Sequence, residues 1–563
     1  MATLVVPGVS VEARFDVLPP LPAAAGILGV IGVVDRLPRG GGMVGVTKAA
    51  EIRSLLGPGT EATMPQLVHA LANGAKEAMV SPVAGGAPAS LTLRNRNAVP
   101  VVTLRCRSPG AWGNGLAAEI REVQDAQGNS VRVTVRLLQN GQVRESFEDL
   151  QVLPGAADDL FDVINQRSKL VVAVDPGFAG AEPADGTFAF QATGEPIDVN
   201  QAGQQRALLR LLPGAEVDPD GLTARIDSEQ GSILVEVFQG GLQERFTDLV
   251  MDPDSDRYLP YALLRDSRLL RVQTLSSQVV AESLPSATTT PAAFTNGSAP
   301  TPQQYQEAIE LLADDSRIDL VFACIDPGLD DTQVRQVHQA LVAHAVAMAD
   351  NGAPRIAFGS VTAGEQPDLN RIRDHAASVR NRRFVLVSPA GAEGAVAGAI
   401  GRMNPQDSPT FKPIPLFDIS PARYRESQLN RLLGPTTNAV VVQDRVGRGV
   451  VCLKGIDTTG DQISVTRVAD QCIRETRAIA ENFIGRLNTE DARVALRQQL
   501  VSTFLRMERD GALVPSTDGS DPAFHVDVYS TQLDFAQGIV RIDIAVRPVR
   551  AIDYVYATIR VKN

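Results

Sequence analysis

Aromatic residues make up only 5% of the 563, with a single tryptophan, Trp112, and this scarcity argues against the stacking platforms that hold single-stranded nucleic acid. Cationic excess is also missing. The chain sets 53 Lys and Arg against 65 Asp and Glu, a net charge of −12, so neither nucleic acid nor direct membrane insertion is expected of it. The four cysteines, Cys106, Cys324, Cys452 and Cys472, lie far apart with no CxxC pair. Zinc knuckles and a disulfide framework are therefore disfavoured, and a reducing compartment fits. The most apolar early run, AAAGILGVIGVV (23–34), is glycine-rich and well short of a membrane span. Met1 is followed by ATLVVPGVSVEARFDV, without a basic segment leading into an apolar core. No secretory signal is expected, and synthesis in a bacterial cytoplasm is the default.

Signs of catalysis are equally sparse. Of the five histidines (His69, His338, His344, His375, His525), His338 and His344 lie six apart on one predicted helix, a spacing that does not put two metal ligands on one face. A surface or satisfied core position is expected for each. GxSxG is absent, and no serine stands in a triad context. Gly391, Gly394 and Gly398 follow a strand and open a helix as a dinucleotide loop would, but their spacing is not GxGxxG. Close helix–sheet packing is the expected role of these small residues. Gly57-Pro58-Gly59-Thr60 lacks the lysine of a phosphate-binding loop and closes a helix where such a loop opens one. No residue is assigned a catalytic, cofactor-binding or metal-binding role, and no cofactor is expected. An enzyme acting on a nucleotide or sugar through the α/β region 316–402 is the competing reading.

What is present is length and organisation. A chain of this size exceeds one core, and roughly three to four domains are expected. The fold class read from it is α/β (α+β) and multidomain: an α/β core with a mixed sheet, C-terminal helices and strands, and inserted β-rich modules. Residues 1–20 are an extended arm, with Pro7, Pro19 and Pro20 blocking helix. Residues 21–100 supply a buried strand, the helix in VTKAAEIRSLLGPG with Thr47 as its N-cap, a helix over 64–75, and the strand EAMVSPVAG. Two β-rich modules, 101–200 and 201–275, carry an internal repeat: Glu145, Phe147, Asp149, Leu150, Ser168 and Leu170 recur 99 residues later as Glu244, Phe246, Asp248, Leu249, Ser267 and Leu269. A Ser/Thr/Pro-rich linker is expected over 276–303. In 304–460, apolar strands alternate with helices, the mark of parallel βαβ units buried on both faces.

The C-terminal part, 461–548, reads as two long helices, 465–486 and 491–510, followed by strands, with 549–563 as a final strand arm. Val540, Ile542, Ile544 and Val546 alternate with Arg541, Asp543, Ala545 and Arg547. Beyond Pro548, Val555, Ala557, Ile559 and Val561 alternate with Tyr554, Tyr556, Thr558 and Arg560. A strand with nothing beside it presents unpaired backbone groups, which either close the subunit's own sheet or accept a strand from a neighbour. The residues expected to make inter-subunit strand contacts are Val5, Val9 and Val11 in the N-terminal arm and Tyr554, Tyr556, Ile559 and Val561 in the tail.

The block FIGRLNTEDARVALRQQLVSTFLRMERDGALVP (483–515), followed by β-segments, resembles the conserved domain of contractile phage tail sheath proteins in its order of helix, N-T-x-x-x-R, long helix, dGAL and terminal strands. PGVSVEA (7–13), VTKAAEIRSLLGPG (46–59) and SPGAWGNGL (108–116) resemble further motifs of that family, in the right order. The doubled β-module departs from it and points to a larger outer insertion. The resemblance implies a homo-oligomer built as a helical stack of sixfold rings around an inner tube protein, with baseplate and terminator or cap proteins as further partners. It implies a sheath that shortens without nucleotide hydrolysis to drive the tube through a target envelope, as part of a virion or injection system. The inserted modules would lie on the outside.

Overall fold

The computed structural model describes residues 26–38, 41–124, 130–154, 156–214, 217–229, 231–275 and 284–554. Val5, Val9, Val11, Tyr556, Ile559 and Val561 lie outside them. The chain first lays down β1 (Ile27–Gly32), β2 (Val44–Val46), α1 (Ala49–Leu56), α2 (Pro65–Ala72) and β3 (Glu77–Pro82). Thr47 is not the N-cap of α1. Lys48 takes that position because Glu51 reaches back and accepts from the backbone N–H of both Thr47 (2.7 Å) and Lys48 (3.2 Å).

The chain then leaves the core to build two copies of one β-rich unit. In the first, the meander Leu116–Gln124, Ser130–Gln139, Gln142–Leu150 faces a three-stranded sheet of Ser90–Arg94, Pro100–Cys106 and Val171–Val174, with α3 (Leu160–Arg167) beside it. The second repeats this with the meander Leu222–Glu229, Ser232–Gln239, Leu242–Leu249, the sheet Ile197–Asn200, Ala207–Pro213, Leu270–Thr274, and α4 (Leu259–Asp266). The repeated residues do the same work in both. Ser168 donates to Glu145 (2.6 Å), which also accepts from the Lys169 N–H (2.9 Å); Ser267 and the Arg268 N–H meet Glu244 at the same two distances. Asp149 and Asp248 both take left-handed backbone, at φ 55° and 57°. These side chains lock the meander onto the loop after each helix.

The segment expected to be a linker differs from that expectation. Ala292–Ala293 pairs as a strand with Ala117 and Ala118, and Phe294 is buried in the first unit's core together with Trp112. Density of Ser, Thr and Pro is what a sequence reading weighs there, and one large apolar side chain outweighs it energetically. The inbound and outbound passages of the insertion run antiparallel, bridged at Ala87–Ser298 and Ser90–Thr295. Asn114 clasps them, exchanging two hydrogen bonds with the backbone of Gly297 (2.8 and 2.9 Å). The WGN motif is thus structural.

On return the chain forms α5 (Pro302–Leu311), β4 (Leu320–Ala323), α6 (Asp331–Asp350), β5 (Ile356–Ser360), α7 (Leu369–Ser378), β6 (Phe384–Ser388), α8 (Glu393–Arg402), β7 (Val440–Arg445) and β8 (Gly449–Cys452). These join the first three strands in one mixed sheet of order β2-β3-β1-β4-β5-β6-β7-β8, parallel from β3 to β7 with antiparallel edges. Both faces are covered, as the unbroken apolar runs LVFA and FVLVS require. Tyr305, Ile309, Leu341 and Ile372 of α5, α6 and α7 pack on one side. Ile52, Leu67, Val396 and Ile400 of α1, α2 and α8 pack on the other.

The glycines of α8 allow a close approach, but to a helix rather than to the sheet. A Cβ at Gly394 would stand 2.1 Å from the Gln66 carbonyl oxygen, and one at Gly398 2.2 Å from that of Ala70, so α8 rides directly on the backbone of α2. Backbone atoms cannot swing aside as a side chain can. Replacing Gly398 by Val is therefore expected to cost about 3 kcal/mol, the upper end for overpacking, read as a lowered denaturant midpoint. An unchanged midpoint would contradict this packing.

Candidate assembly surface

The C-terminal unit consists of α9 (Ile463–Glu481), α10 (Glu490–Arg509), β9 (Phe524–Tyr529), the short α11 (Gln532–Ala536) and β10 (Arg541–Val546). Its motif residues have identifiable tasks. Thr489 caps α10 by accepting from the Ala492 N–H (3.2 Å), with Glu490 and Asp491 in the first turn where the helix dipole favours them. Arg493 donates to the carbonyl (3.2 Å) and side-chain oxygen (2.7 Å) of Asn488. Asn488 in turn donates to Ser530 (3.2 Å) and to the Ile539 carbonyl (3.4 Å). N-T-x-x-x-R therefore ties the start of the helix to the turn of the hairpin.

β9 and β10 pair antiparallel from Phe524–Val546 to Tyr529–Arg541, and no third strand joins them among the described residues. Val540, Ile542, Ile544 and Val546 pack against the core formed by Leu496, Leu500 and Phe504 of α10 with Leu513 beyond it, as their alternation requires. An apolar groove of about 270 Å³ runs beside this face, lined by Phe483, Ile484, Leu487, Leu496, Val540 and Ile542. Ile484 and Leu487 are 82% and 81% exposed, and Leu533 and Phe535 of α11 are exposed too. Large exposed apolar side chains beside a groove are a candidate interaction surface.

After β10 the chain turns back onto the core. Val549 donates to the Ala512 carbonyl (2.9 Å), Gln462 exchanges two hydrogen bonds with the backbone of Ala551 (2.9 Å each), and Arg550 pairs with Asp461 (2.8 Å). Tyr554 is exposed, its hydroxyl accepting from Lys454 Nζ (3.1 Å). It is the one tail residue of the expected contact set that falls within the described chain.

A seam of buried charge holds this unit to the α/β core. Arg467, Asp470 and Arg474 on α9 are each more than nine-tenths buried. Arg383 grips both carboxylate oxygens of Asp470 (2.9 and 3.0 Å). Arg474 donates to the carbonyls of Arg317 (3.2 Å), Ile318 (3.1 Å) and Pro354, and Arg467 to those of Met403 and Asn404 (3.1 Å each). Burial pushes the Asp470 carboxyl up while Arg383 and Arg474 pull it down, and Asp319, facing Arg474 and Arg467, is held in the same balance. Sequence reading missed these residues. Their signal is the spacing 463, 467, 470, 474, which puts Ile463 and three charged residues on one helical stripe.

Elsewhere, His338 and His375 share a buried hydrogen bond (2.9 Å) that continues to Glu365 (2.6 Å) and Arg335 (2.8 Å). The position is a satisfied core one. Among the described residues no group of three or more His, Cys, Asp or Glu is placed to hold a metal ion, and no helix is long and apolar enough to cross a membrane. At α8, where a phosphate would need open space, the N-terminal turn carries buried Glu393 and lies on the α2 backbone.

Residues 457–562 match the family model described as the phage tail sheath C-terminal domain. The chain thus carries a phage tail sheath domain, as the motif order over 483–515 implies. Among solved structures, it is similar to a sheath tail protein from Desulfitobacterium hafniense, with 14% identity over 97% of each chain and a TM-score of 0.45. A sheath tail protein from Listeria innocua shows 12% identity over 95% of this chain and 94% of that one, also at TM-score 0.45. The helical sheath of the anti-feeding prophage in its contracted state shows 16% identity over 46% of this chain and 74% of that one, at TM-score 0.35. No curated protein matches the sequence.

Two outcomes follow for this unit. Asp470→Ala strips Arg383 of its buried carboxylate and is expected to destabilise by about 3 kcal/mol in chemical denaturation, whereas Arg477→Ala, in an exposed pair with Glu481, should cost under about 0.5 kcal/mol. Equal effects would remove the seam's special status. The hairpin turn is pH-dependent: bonds from Arg541 and Thr531 hold the Asp534 carboxyl well below the usual range. Its stabilisation is present above the ordinary carboxylate pKa and lost as pH falls through that range towards the depressed value. Hydrogen exchange over 530–541 should separate wild type from Asp534→Asn at pH 7, and the gap should begin to narrow only as pH falls below about 4.

Proposed function

We propose that the chain is the structural subunit of a contractile tail sheath, polymerising as stacked sixfold rings around an inner tube and shortening to drive that tube through a target envelope. Baseplate and terminator proteins are its further partners, and the particle is assembled in a bacterial cytoplasm. The observation that carries this reading is the terminal hairpin. Its apolar face is satisfied within the subunit, while its two-stranded sheet has no third strand among the described residues and lies beside an apolar groove. Strand addition suits such an edge, because backbone hydrogen bonds supply affinity with little demand on side chains. The sheath-domain match over 457–562 supports the same conclusion.

In this reading Val5, Val9 and Val11 of one subunit and Tyr556, Ile559 and Val561 of another pair with the hairpins of their neighbours. Tyr554, exposed with its hydroxyl on Lys454 Nζ, joins the same contact. Contraction draws on a trapped extended lattice whose shortened form has larger interfaces, with no nucleotide consumed. The crowding at α8 gives no support to a phosphate-dependent enzyme.

Deleting residues 555–563 tests this more cleanly than cutting at 549, because Val549–Asp553 are bonded into the fold. The truncated protein should melt like the full chain yet form no tubes in negative-stain electron microscopy, when each is co-expressed with its tube protein. Long striated tubes from the truncated chain would overturn the strand-exchange reading.

A further inference from the structure

A cavity of about 320 Å³ opens where the two inserted units meet the core, and six of the residues lining it are cationic: Arg36, Arg53, Arg107, Arg167, Lys169 and Arg271. No carboxylate lines it, in a chain whose net charge is −12. The cations come from five separate stretches of sequence: the loop after β1, helix α1, the strand end before the WGN motif, the end of α3, and the strand Leu270–Thr274.

Part of this charge has an internal use. Arg107 donates to the Asn165 (2.6 Å) and Ser168 (2.9 Å) carbonyls at the end of α3, and Arg36 donates to the Arg265 carbonyl (3.0 Å) in the last turn of α4. Arg53 and Lys169 share a single carboxylate, Glu61 (2.7 and 3.3 Å). The nearby acids have other partners, although buried Asp35 also attracts Arg107 and Arg36. Glu145 accepts from Ser168 and the Lys169 N–H, Asp266 pairs with Arg265, and Asp35 lies buried behind Gly59. Among the described residues, Arg36, Arg107, Arg167 and Arg271 have no ion pair. Carbonyl caps satisfy hydrogen-bond donors but leave the positive charge in place; burial works against the charge on Arg107, and attraction to Asp35 and Glu145 offsets this and the repulsion from Arg36 only in part.

The geometry points to this cavity as a binding site for a polyvalent phosphate anion, a diphosphate or a phosphate ester, held between the inserted units and the core. Several guanidinium groups lining one cavity suit an oxyanion that accepts bidentate pairs, and the volume falls at the small end of ligand sites, larger than a single water-filled gap requires. A bound anion would cross-link elements belonging to both inserted units and to α1, neutralising a cluster that otherwise repels itself. The site is independent of the sheath reading.

The test uses the full-length protein, inorganic diphosphate as probe, and the variant Arg167→Gln/Arg271→Gln, whose first residue is exposed and second half-buried. Calorimetric titration at low salt should show saturable binding to the wild type and at least tenfold weaker binding to the variant. Thermal melting should rise with diphosphate in the wild type and not with sodium chloride of equal ionic strength. Without anion, Arg167→Gln alone should melt no lower than the wild type, since it loses repulsion, whereas Arg271→Gln also gives up a bond to the Pro213 carbonyl (3.0 Å). No heat of binding, a shift reproduced by chloride, or undiminished affinity in the variant would each overturn the assignment.

Discussion

The arrangement of the molecule depends on a seam of buried charge. Arg467, Asp470 and Arg474 of α9 meet Arg383 and Asp319 at the starts of the central parallel strands, with the guanidinium groups capping carbonyls of the core. Such an interface contributes little net stability over an apolar one, because the desolvation cost of each ion is large. What it supplies is orientation. An apolar patch can slide by an ångström at small cost, whereas a bidentate arginine–carboxylate pair cannot. The hairpin, the groove and the returning tail all hang from α9 and α10, so their position relative to the core is set there.

That constraint gives meaning to the tail's return path. Residues 547–554 cross the junction a second time, bonded to Ala512, Asp461, Gln462 and Lys454. Helix and tail thereby brace the same corner from two sides. A strand offered to another subunit from this corner would transmit load into the α/β sheet through fixed bonds rather than through a loose linker.

How much of this was legible in the sequence depended on the physical signal involved. The parallel strands were readable because burial on both faces forces unbroken apolar runs, and the α10 start because Thr489 and its following acids form a cap. The repeat was readable because Glu145 and Glu244 must each meet a serine 23 residues on, which keeps the spacing fixed. Phe294 hid inside a Ser/Thr/Pro-rich stretch, and the role of Gly394 and Gly398 needed the position of α2, which no local pattern supplies. The charged stripe of α9 looks solvated unless its register with Ile463 is noticed. The basic cavity was invisible for a different reason: its residues are brought together only by folding.

The clasp between Asn114 and Gly297 has a further consequence. The chain leaves the core near Ala87 and comes back near Ser298, with those two residues bonded to each other, N–H to carbonyl, at 3.1 Å. In chain connectivity the whole doubled unit is therefore a pendant on a closed stem, touching the core again at Arg36, Leu55 and Glu61, and the sheet order of the core does not register what the pendant contains. Duplication of the unit could occur without any strand of the core changing its neighbour. The same stem is a natural grafting point, where a foreign domain whose ends lie close together could replace the pendant while the body keeps its topology.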